Sequence, residues 1–374
     1  MKIIIVGTSY PYRGGIAAFT DRLATEFVKE GVDTEVFTFK LQYPSFLFPG
    51  KTQFSGSMAP DDLRIFRKVN SINPLNWRRV GKEIREKRPD TVIFTYWMSF
   101  FAPCFGKIAR VVKKNRHTRC IGLIHNILPH EKSILDKTFP SYFVKSMDGF
   151  VTLSKAVLND VTLLDKENKP KCFTPHPLYD HFGEIEDKSL AINKLGLDKK
   201  YSYMLFFGLV RAYKGLDLLI EAFADERLRK YPVKLLVAGE FYDDTKPYYE
   251  HIERLGIKDV VIINNKYIAD EEVKDYFNAA DIVVQPYKSA TQSGVTQVAY
   301  HFEKPVLVTN VGGLKEIIPD GKVGYVVEPQ SVAIADALVD FYDNSRYAAF
   351  VEGVREEKKK FVWSNVTEAV MKML

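Results

Sequence analysis

A chain of 374 residues is too long for one ordinary hydrophobic core, so its length predicts two domains. Hydrophobic residues at 46% and charged residues at 27% are typical of globular proteins and argue against extended disorder. No apolar run in the sequence approaches the ~20 residues that cross a bilayer, and its start lacks a signal-peptide layout, which predicts a cytoplasmic protein. The three cysteines have neither metal-binding spacing nor the even number of a disulfide framework.

The net charge of +6 is distributed unevenly along the chain. Between Asp61 and Arg119 there are 15 Lys and Arg residues against 5 Asp and Glu residues. Such an excess indicates an anionic partner for this half, namely a membrane surface, a diphosphate or a nucleic acid. Solvated basic faces of helices would produce the same count, so charge alone does not choose between these interpretations.

The first half of the chain is predicted as apolar strands that alternate with helices. Strands are predicted over 2–7, 34–39, 91–97, 119–126 and 149–154. Helices are predicted over 15–30, 61–70, 75–88 and 107–114, with a further helix near Tyr142. In the first helix, apolar residues recur at spacings of three and four as one stripe: Ile16, Phe19, Leu23 and Phe27. Apolar strands separated by helices indicate a parallel sheet that is covered on both faces.

A proline-containing segment around His176, 171–184, interrupts the alternation and is predicted as an interdomain linker. Strands are then predicted over 202–210, 233–240, 260–264, 281–287, 305–310 and 323–329. Helices are predicted over 216–228, 270–280, 293–302, 332–342 and 347–374, the last with a break at Trp363 and Ser364. We therefore predict an α/β protein with two Rossmann-like, doubly wound parallel-sheet domains, 1–175 and 176–360, facing a cleft. The C-terminal helix, 361–374, is expected to pack back on the first domain.

The loop after the first strand, TSYPYRGG, has adjacent glycines, Gly14 and Gly15, before the first helix. The loop does not match G-x-G-x-x-G, the fingerprint of dinucleotide binding, and no acidic residue follows the second strand. Both observations argue against classical NAD binding. Without Cβ atoms, the two glycines would admit an anion such as phosphate to the first amides of the helix. Alternatively, the two glycines are needed only for the backbone conformation of the turn.

Two cations follow the first strand of the second domain. Gly208, Arg211 and Lys214 lie between that strand and a helix, whose dipole disfavours cations at its start unless an anion binds there. Arg supplies a bidentate fork and Lys a point charge, which together suit a diphosphate. Solvated surface charges are the alternative.

Hydroxyl and amide groups cluster where a later strand passes into a helix. A phosphate nest with a polar contact for ribose would fit this segment, as would an ordinary N-cap and turn. Its residues are Thr291, Gln292, Ser293, Gly294, Val295 and Gln297, and a second glycine pair, Gly312 and Gly313, follows the next strand.

A strand end in the first domain carries His125, Asn126, His130 and Glu131. A histidine at the carboxyl end of a strand can donate to a sugar hydroxyl or a polarised carbonyl. His130 and Glu131 could equally form a structural hydrogen-bonded corner.

In this order, the motifs resemble those of the GT-B glycosyltransferases of retaining family 4, over essentially the whole chain. The resemblance implies that Gly14 and Gly15 meet the substrates and that His125 lies near the transferred sugar. It also implies that Arg211 and Lys214 hold the donor diphosphate, while 291–297 and Lys304-Pro305-Val306 complete the nucleotide-sugar site. Two departures stand out: Ser289 and Gln297 occupy the positions of two family glutamates, and Arg211 precedes Lys214 by three residues instead of five.

The resemblance implies a retaining, metal-independent transfer of a sugar from a UDP- or GDP-sugar to a saccharide or lipid-linked saccharide. Bacterial surface polysaccharide synthesis is the expected setting, without a cofactor, with the first domain binding the acceptor and the second the donor. The expected catalytic residues are His125, Arg211 and Lys214. The expected donor-binding residues are Gly14, Gly15, Gly208, Ile268, Thr291, Gln292, Ser293, Gly294, Val295 and Gln297. On the acceptor side we expect Tyr12, Arg13, Asn126, His130 and Glu131.

Peripheral contact with an anionic membrane surface is expected from the basic region, and nucleic-acid binding is not, because that region lacks a recognised module. Two alternatives remain. One is a non-catalytic sugar-nucleotide-binding protein, suggested by Ser289 and Gln297 in place of carboxylates. The other is a GT-B nucleotide-sugar epimerase, which would need acid/base carboxylates.

Overall fold

The computed structural model describes residues 1–44, 53–55, 58–128, 138–290 and 293–374. Within these residues the chain forms two compact units. Unit 1 consists of Met1–Pro177 together with Val362–Leu374, and unit 2 consists of Leu178–Phe361.

Unit 1 contains a seven-stranded parallel sheet in the order β3-β2-β1-β4-β5-β6-β7. Its strands are β1 (Lys2–Val6), β2 (Asp33–Leu41), β3 (Arg64–Asn70), β4 (Thr91–Tyr96), β5 (Arg119–Ile124), β6 (Gly149–Thr152) and β7 (Lys171–Phe173). Its helices are α1 (Gly15–Lys29), α2 (Pro74–Lys87), α3 (Ala102–Val112), α4 (Thr138–Val144) and α5 (Lys155–Leu164). One more helix, α13 (Trp363–Met371), comes from the C-terminal segment.

The first strand explains why the sheet of unit 1 needs cover on both faces. Ile3, Ile4, Ile5 and Val6 are all buried. Ile4 and Val6 join a core cluster with Phe105 and Ile108 of α3. Side chains alternate across a strand, so the other two isoleucines point to the opposite face.

Unit 2 repeats the architecture with six parallel strands in the order β10-β9-β8-β11-β12-β13. The strands are β8 (Ser202–Phe207), β9 (Val233–Ala238), β10 (Val261–Asn264), β11 (Ile282–Gln285), β12 (Val306–Thr309) and β13 (Gly324–Val327). The helices are α6 (Lys188–Lys194), α7 (Leu216–Phe223), α8 (Lys246–Arg254), α9 (Asp270–Ala279), α10 (Gly294–His301), α11 (Ser331–Asp343) and α12 (Tyr347–Glu357).

The predicted α/β class with two Rossmann-like parallel-sheet domains is confirmed. In each sheet the strand order reverses beside the first strand, between β1 and β4 in unit 1 and between β8 and β11 in unit 2. Such switch points, at the carboxyl ends of the strands, are where open α/β sheets bind ligands. Among the described helices, none is long and apolar enough to span a membrane.

Several predicted elements were wrong. The predicted helix 61–70 is instead the edge strand β3, which pairs with β2. Its charged residues lie at the open edge of the sheet, and their spacing imitates the polar face of a helix. Residues 171–173 of the predicted linker form β7, and the sequence analysis missed the helices α5, α6 and α8.

The C-terminal helix α13 is anchored in unit 1 against α1. The ring of Trp363 lies 5.0 Å from the ring of Phe19, and the guanidinium carbon of Arg22 lies 5.0 Å from the centre of the Trp363 ring. The Thr367 hydroxyl donates to Glu30 Oε1 at 2.6 Å. The break before this helix falls at Phe361 and Val362, slightly earlier than predicted.

We expect Trp363→Ala to destabilise the protein strongly, because Trp363 is only 4% exposed and its removal leaves a cavity beside Phe19. Truncating a buried aromatic side chain lowers the free energy of unfolding by about 3–5 kcal/mol. Urea unfolding followed by circular dichroism measures the change. The control is Val362→Ala, whose parent side chain is 43% exposed. Equal midpoints for the two variants would contradict anchoring through Trp363.

Candidate active site

The turn after β8 carries the two cations that the sequence singled out. Gly208 has φ +100°, and a Cβ there would lie 3.2 Å from Lys214 Nζ. Arg211 then precedes a 3-10 turn, Ala212–Lys214, and α7 begins two residues after Lys214. At Gly215, with φ +68°, a Cβ would lie 2.0 Å from the Pro286 carbonyl oxygen after β11. The glycines therefore bring both cations to the switch point between β8 and β11.

These cations have no counter-ion among the described residues. Nearby Lys288 pairs with Asp217 at 2.6 Å, but no described carboxylate forms a salt bridge with Arg211 or Lys214. Burial, and secondly the charge of Arg211, lower the pKa of Lys214 to about 8. Two partly buried like charges without a carboxylate form a site that favours an anion.

Aromatic rings flank both cations. The Arg211 guanidinium carbon lies 3.8 Å from the centre of the Tyr242 ring, and Lys214 Nζ lies 5.6 Å from the centre of the Tyr287 ring. The Tyr287 hydroxyl and Ser293 Oγ are 3.3 Å apart. Tyr287 therefore connects Lys214 to the segment that begins α10.

The start of α10 lies beside the same turn. Ser293 is its N-cap, and Ser293 Oγ accepts from the Val295 amide at 3.3 Å. A Cβ on Gly208 would approach Val295 Cγ2 to 3.8 Å. A Cβ on Gly294 would lie 2.8 Å from the Tyr179 ring, so this glycine is needed for packing, a contact that the sequence analysis missed.

The structure thus brings together Gly208, Arg211, Lys214, Ser293, Gly294 and Val295.

Gln297 is fully buried, and within the described ranges its amide oxygen and nitrogen have no hydrogen-bond partner. Ile268 is buried four residues beyond β10, and Ser289 is exposed. Thr291 and Gln292 lie outside the described residues.

In unit 1, Gly14 caps α1 with φ +104° and ψ 168°, a conformation that a side chain rarely adopts. A Cβ on Gly14 would meet no atom within 4 Å among the described residues. Gly15, exposed, is the first residue of α1. The backbone conformation therefore requires Gly14, and the described residues leave room for a Cβ there.

A carboxyl that the sequence analysis missed holds this loop. Asp21 of α1 accepts a hydrogen bond from the Ser9 hydroxyl and another from the Tyr10 amide at 3.3 Å. Burial raises the pKa of Asp21 to about 7. Tyr12 is a core residue that packs edge-on against Phe39, with ring centres 6.4 Å apart.

The Arg13 amide donates to the Gln53 carbonyl oxygen at 3.0 Å. The loop that carries Tyr12 and Arg13 is therefore tied to the described segment around Gln53. These contacts account for the backbone of Arg13 and leave the predicted acceptor-side role of its side chain as a proposal.

His125 directly follows β5, and its amide donates to the Tyr96 carbonyl oxygen at 2.9 Å. Its ring lies edge-on to Phe19 at 4.6 Å and 6.4 Å from the ring of His176. Burial, and secondly the charge of His176, lower the pKa of His125 to about 3, while burial lowers the pKa of His176 to about 4. Both imidazoles are therefore neutral near pH 7.

Asn126 follows His125, and its buried side-chain oxygen has no hydrogen-bond partner in the part of the chain that the structure describes. His130 and Glu131 lie outside the described residues. Phe19 of α1 contacts His125, so α1 connects the Gly14–Gly15 loop with the end of β5.

Two family models match the chain one after the other: Glycosyltransferase Family 4 over residues 13–169 and Glycosyl transferases group 1 over residues 187–357. An uncharacterised glycosyltransferase of Methanocaldococcus jannaschii is 25% identical, covering 100% of this chain and 97% of that protein. A D-inositol 3-phosphate glycosyltransferase of Streptomyces avermitilis is 32% identical, over 46% of this chain and 38% of that protein.

Solved structures share the fold. Sucrose-phosphate synthase from Thermosynechococcus elongatus superposes with a TM-score of 0.77 at 14% identity, covering 100% of this chain and 98% of that chain. Anabaena HepE in complex with UDP-glucose superposes with a TM-score of 0.75 at 16% identity, covering 100% of this chain and 99% of that chain. The chain therefore belongs to the family 4, group 1 glycosyltransferases, enzymes of the GT-B fold.

Proposed function

We propose that this glycosyltransferase takes its sugar from a nucleoside diphosphate sugar, UDP- or GDP-linked, and that unit 2 binds this donor. The observation that carries the proposal is the cation pair of Arg211 and Lys214, which no described carboxylate neutralises. A diphosphate supplies the missing negative charge. The HepE complexes with UDP and UDP-glucose, which share the fold, add support.

The cations would stabilise the donor most strongly while its bond to the sugar cleaves. When the bond from the sugar C1 to the phosphate oxygen cleaves, negative charge builds on the leaving diphosphate, where Arg211, Lys214 and the first amides of α10 would stabilise it. We propose that the acceptor oxygen attacks C1 from the same face, which retains the anomeric configuration, and that its proton passes to the leaving phosphate oxygen. Side chains supply the positive charge in this scheme, so we propose that no metal or other cofactor takes part.

Unit 1 would hold the acceptor and the transferred sugar. A neutral His125 suits a hydrogen bond with an uncharged sugar hydroxyl, and the described residues leave room at Gly14 for substrate against the backbone. Arg13 and Asn126 are the further acceptor-side residues that we propose. Tyr12 would contribute by shaping this loop from the core.

We propose a lipid-linked saccharide as acceptor, met at the inner face of a bacterial plasma membrane during surface polysaccharide synthesis. On β3, Arg64 pairs with Asp33, and Lys68 pairs with Glu83 at 3.2 Å. The exposed face of α2 instead carries an apolar residue that is 73% exposed, Leu75, beside three exposed basic residues: Arg78, Arg79 and Lys82. Basic side chains beside an exposed apolar one suit an anionic lipid surface.

A non-catalytic nucleotide-sugar-binding protein is the second candidate. It is favoured by Ser289, which is exposed and uncharged where the family pattern has a glutamate, and by the burial of Gln297 at the other glutamate position. Release of nucleoside diphosphate from the donor discriminates, because a binding protein releases none.

We expect Arg211→Gln to lower kcat/KM about 100- to 1000-fold, because it removes a group that stabilises the charge of the leaving diphosphate. The measurement is nucleoside diphosphate release from UDP-, GDP- and ADP-sugars. Arg229→Gln, on the surface of the same unit, is the matched control and should behave as wild type. Near wild-type turnover in Arg211→Gln would overturn the diphosphate role. Rates abolished by EDTA would overturn the metal-free scheme.

Affinity for the diphosphate should fall as pH rises, because Lys214 loses its proton near pH 8 instead of in the usual range of a lysine. If binding requires the charged amine, the dissociation constant should rise roughly tenfold between pH 7.5 and pH 9. Calorimetric titration with the tightest binder among UDP, GDP and ADP measures this change. Lys214→Arg keeps its charge over this range and should bind with little pH dependence. If the dissociation constant depended on pH equally in wild type and in Lys214→Arg, loss of the Lys214 proton would not be the cause of the weaker binding.

The triple variant Arg78→Gln, Arg79→Gln, Lys82→Gln should co-sediment less with vesicles that contain anionic lipid, because it removes three charges from α2. Each basic residue near an anionic surface contributes about 1 kcal/mol, so we expect a loss of at least tenfold in partitioning. The control removes three exposed charges elsewhere in unit 1, at Lys114, Arg116 and Lys145. Equal losses in both triple variants would argue against a specific α2 surface.

A further inference from the structure

We propose that Tyr242 is a positioning residue for Arg211, because its ring holds the guanidinium in place without using the donors that bind the diphosphate. The inference rests on the proposed function, since it concerns how the donor site is prepared.

The two side chains are attached to backbone segments that bind each other. The Tyr242 amide donates to the Val210 carbonyl oxygen at 3.0 Å, and the Val210 amide donates to the Glu240 carbonyl oxygen at 2.9 Å. A third bond joins the Phe241 amide to Asn265 Oδ1 at 3.0 Å. The loops after β8 and β9 are therefore fixed next to each other, which sets the distance between ring and guanidinium.

The contact is close. The Arg211 guanidinium carbon lies 3.8 Å from the centre of the Tyr242 ring, well within the ~6 Å over which a cation is attracted to a ring face. Arg211 Nε is buried and has no hydrogen-bond partner among the described residues. Stacking is thus the main contact that orients this side chain in the described part of the protein.

A stacked ring and a salt bridge contact different atoms of the guanidinium group. A carboxylate would accept from the in-plane N–H groups of Arg211 and place a negative charge where the diphosphate must bind. The guanidinium carbon of Arg211 lies over the ring of Tyr242. A ring that stacks on the face of a guanidinium leaves the in-plane donors available for phosphate oxygens. An aromatic partner is therefore compatible with anion binding in a way that a carboxylate is not.

The ring itself, and not its hydroxyl group, is what this role needs. A phenylalanine presents a similar face to the cation, whereas a leucine keeps much of the volume but has no π-system. Tyr242→Phe and Tyr242→Leu therefore separate stacking from simple packing.

The test is the dissociation constant for inorganic pyrophosphate, measured by calorimetry at pH 7.5. Tyr242→Phe should bind as wild type, and Tyr242→Leu should bind about threefold to thirtyfold more weakly, the range of a cation–π contact. In an Arg211→Gln background, Tyr242→Leu should cause no further loss, because the partner of the ring is already gone.

A second readout does not depend on binding. The Arg211 Nε–H resonance should carry a ring-current shift in wild type and in Tyr242→Phe, and it should lose that shift in Tyr242→Leu. If Arg211→Gln weakens pyrophosphate binding but Tyr242→Leu does not, the inference is overturned and the proposed donor site stands. An equal loss from Tyr242→Leu with and without Arg211 would show packing instead of positioning. If Arg211→Gln leaves pyrophosphate binding unchanged, both proposals fail.

Discussion

Two positive charges held at the end of one strand, with no carboxylate to pair them among the residues that the structure describes, are the constraint around which unit 2 is arranged. Like charges repel, and partial burial disfavours both, which is visible in the lowered pKa of Lys214. The turn that carries them is held tightly, since Gly208 and Gly215 leave no room for side chains against Lys214 and the Pro286 carbonyl. Aromatic rings from neighbouring loops, Tyr242 and Tyr287, flank the cations. Such an arrangement is unfavourable until an anion binds, which is a property expected of a binding site.

Unit 1 uses a different kind of electrostatics on the same architecture. Its buried histidines are neutral near pH 7, and Asp21, which accepts hydrogen bonds from the opening loop, has a raised pKa. Groups of this kind suit uncharged hydroxyls better than phosphates. The contrast between the units supports a division in which unit 2 binds the charged part of the donor and unit 1 meets sugars.

In the donor site that we propose, the departures from the family pattern concentrate the charge on the cation pair. Ser289 has no charge, and Gln297 is buried, so neither adds a carboxylate where the family pattern has glutamates. At 14% identity to sucrose-phosphate synthase, the fold persists with a TM-score of 0.77. Function in this chain must therefore be argued from its own contacts, and the Arg211–Tyr242 stack is one of them.

The sequence by itself determined most of the strands and helices, and hence the two parallel sheets, because apolar strands between amphipathic helices have few other stable arrangements. It also located Gly208, Arg211 and Lys214, since residues that follow strands gather at one edge of a parallel sheet. It misassigned β3, whose charges at an open sheet edge imitate the polar face of a helix.

Only the tertiary structure decided the contacts between loops that are distant in sequence. Tyr242 meets Arg211 because β8 and β9 pair in one register, and Tyr179 meets Gly294 because its segment packs on α10. Local residue patterns carry no record of such proximity, which arises when strand pairing brings separate loops together.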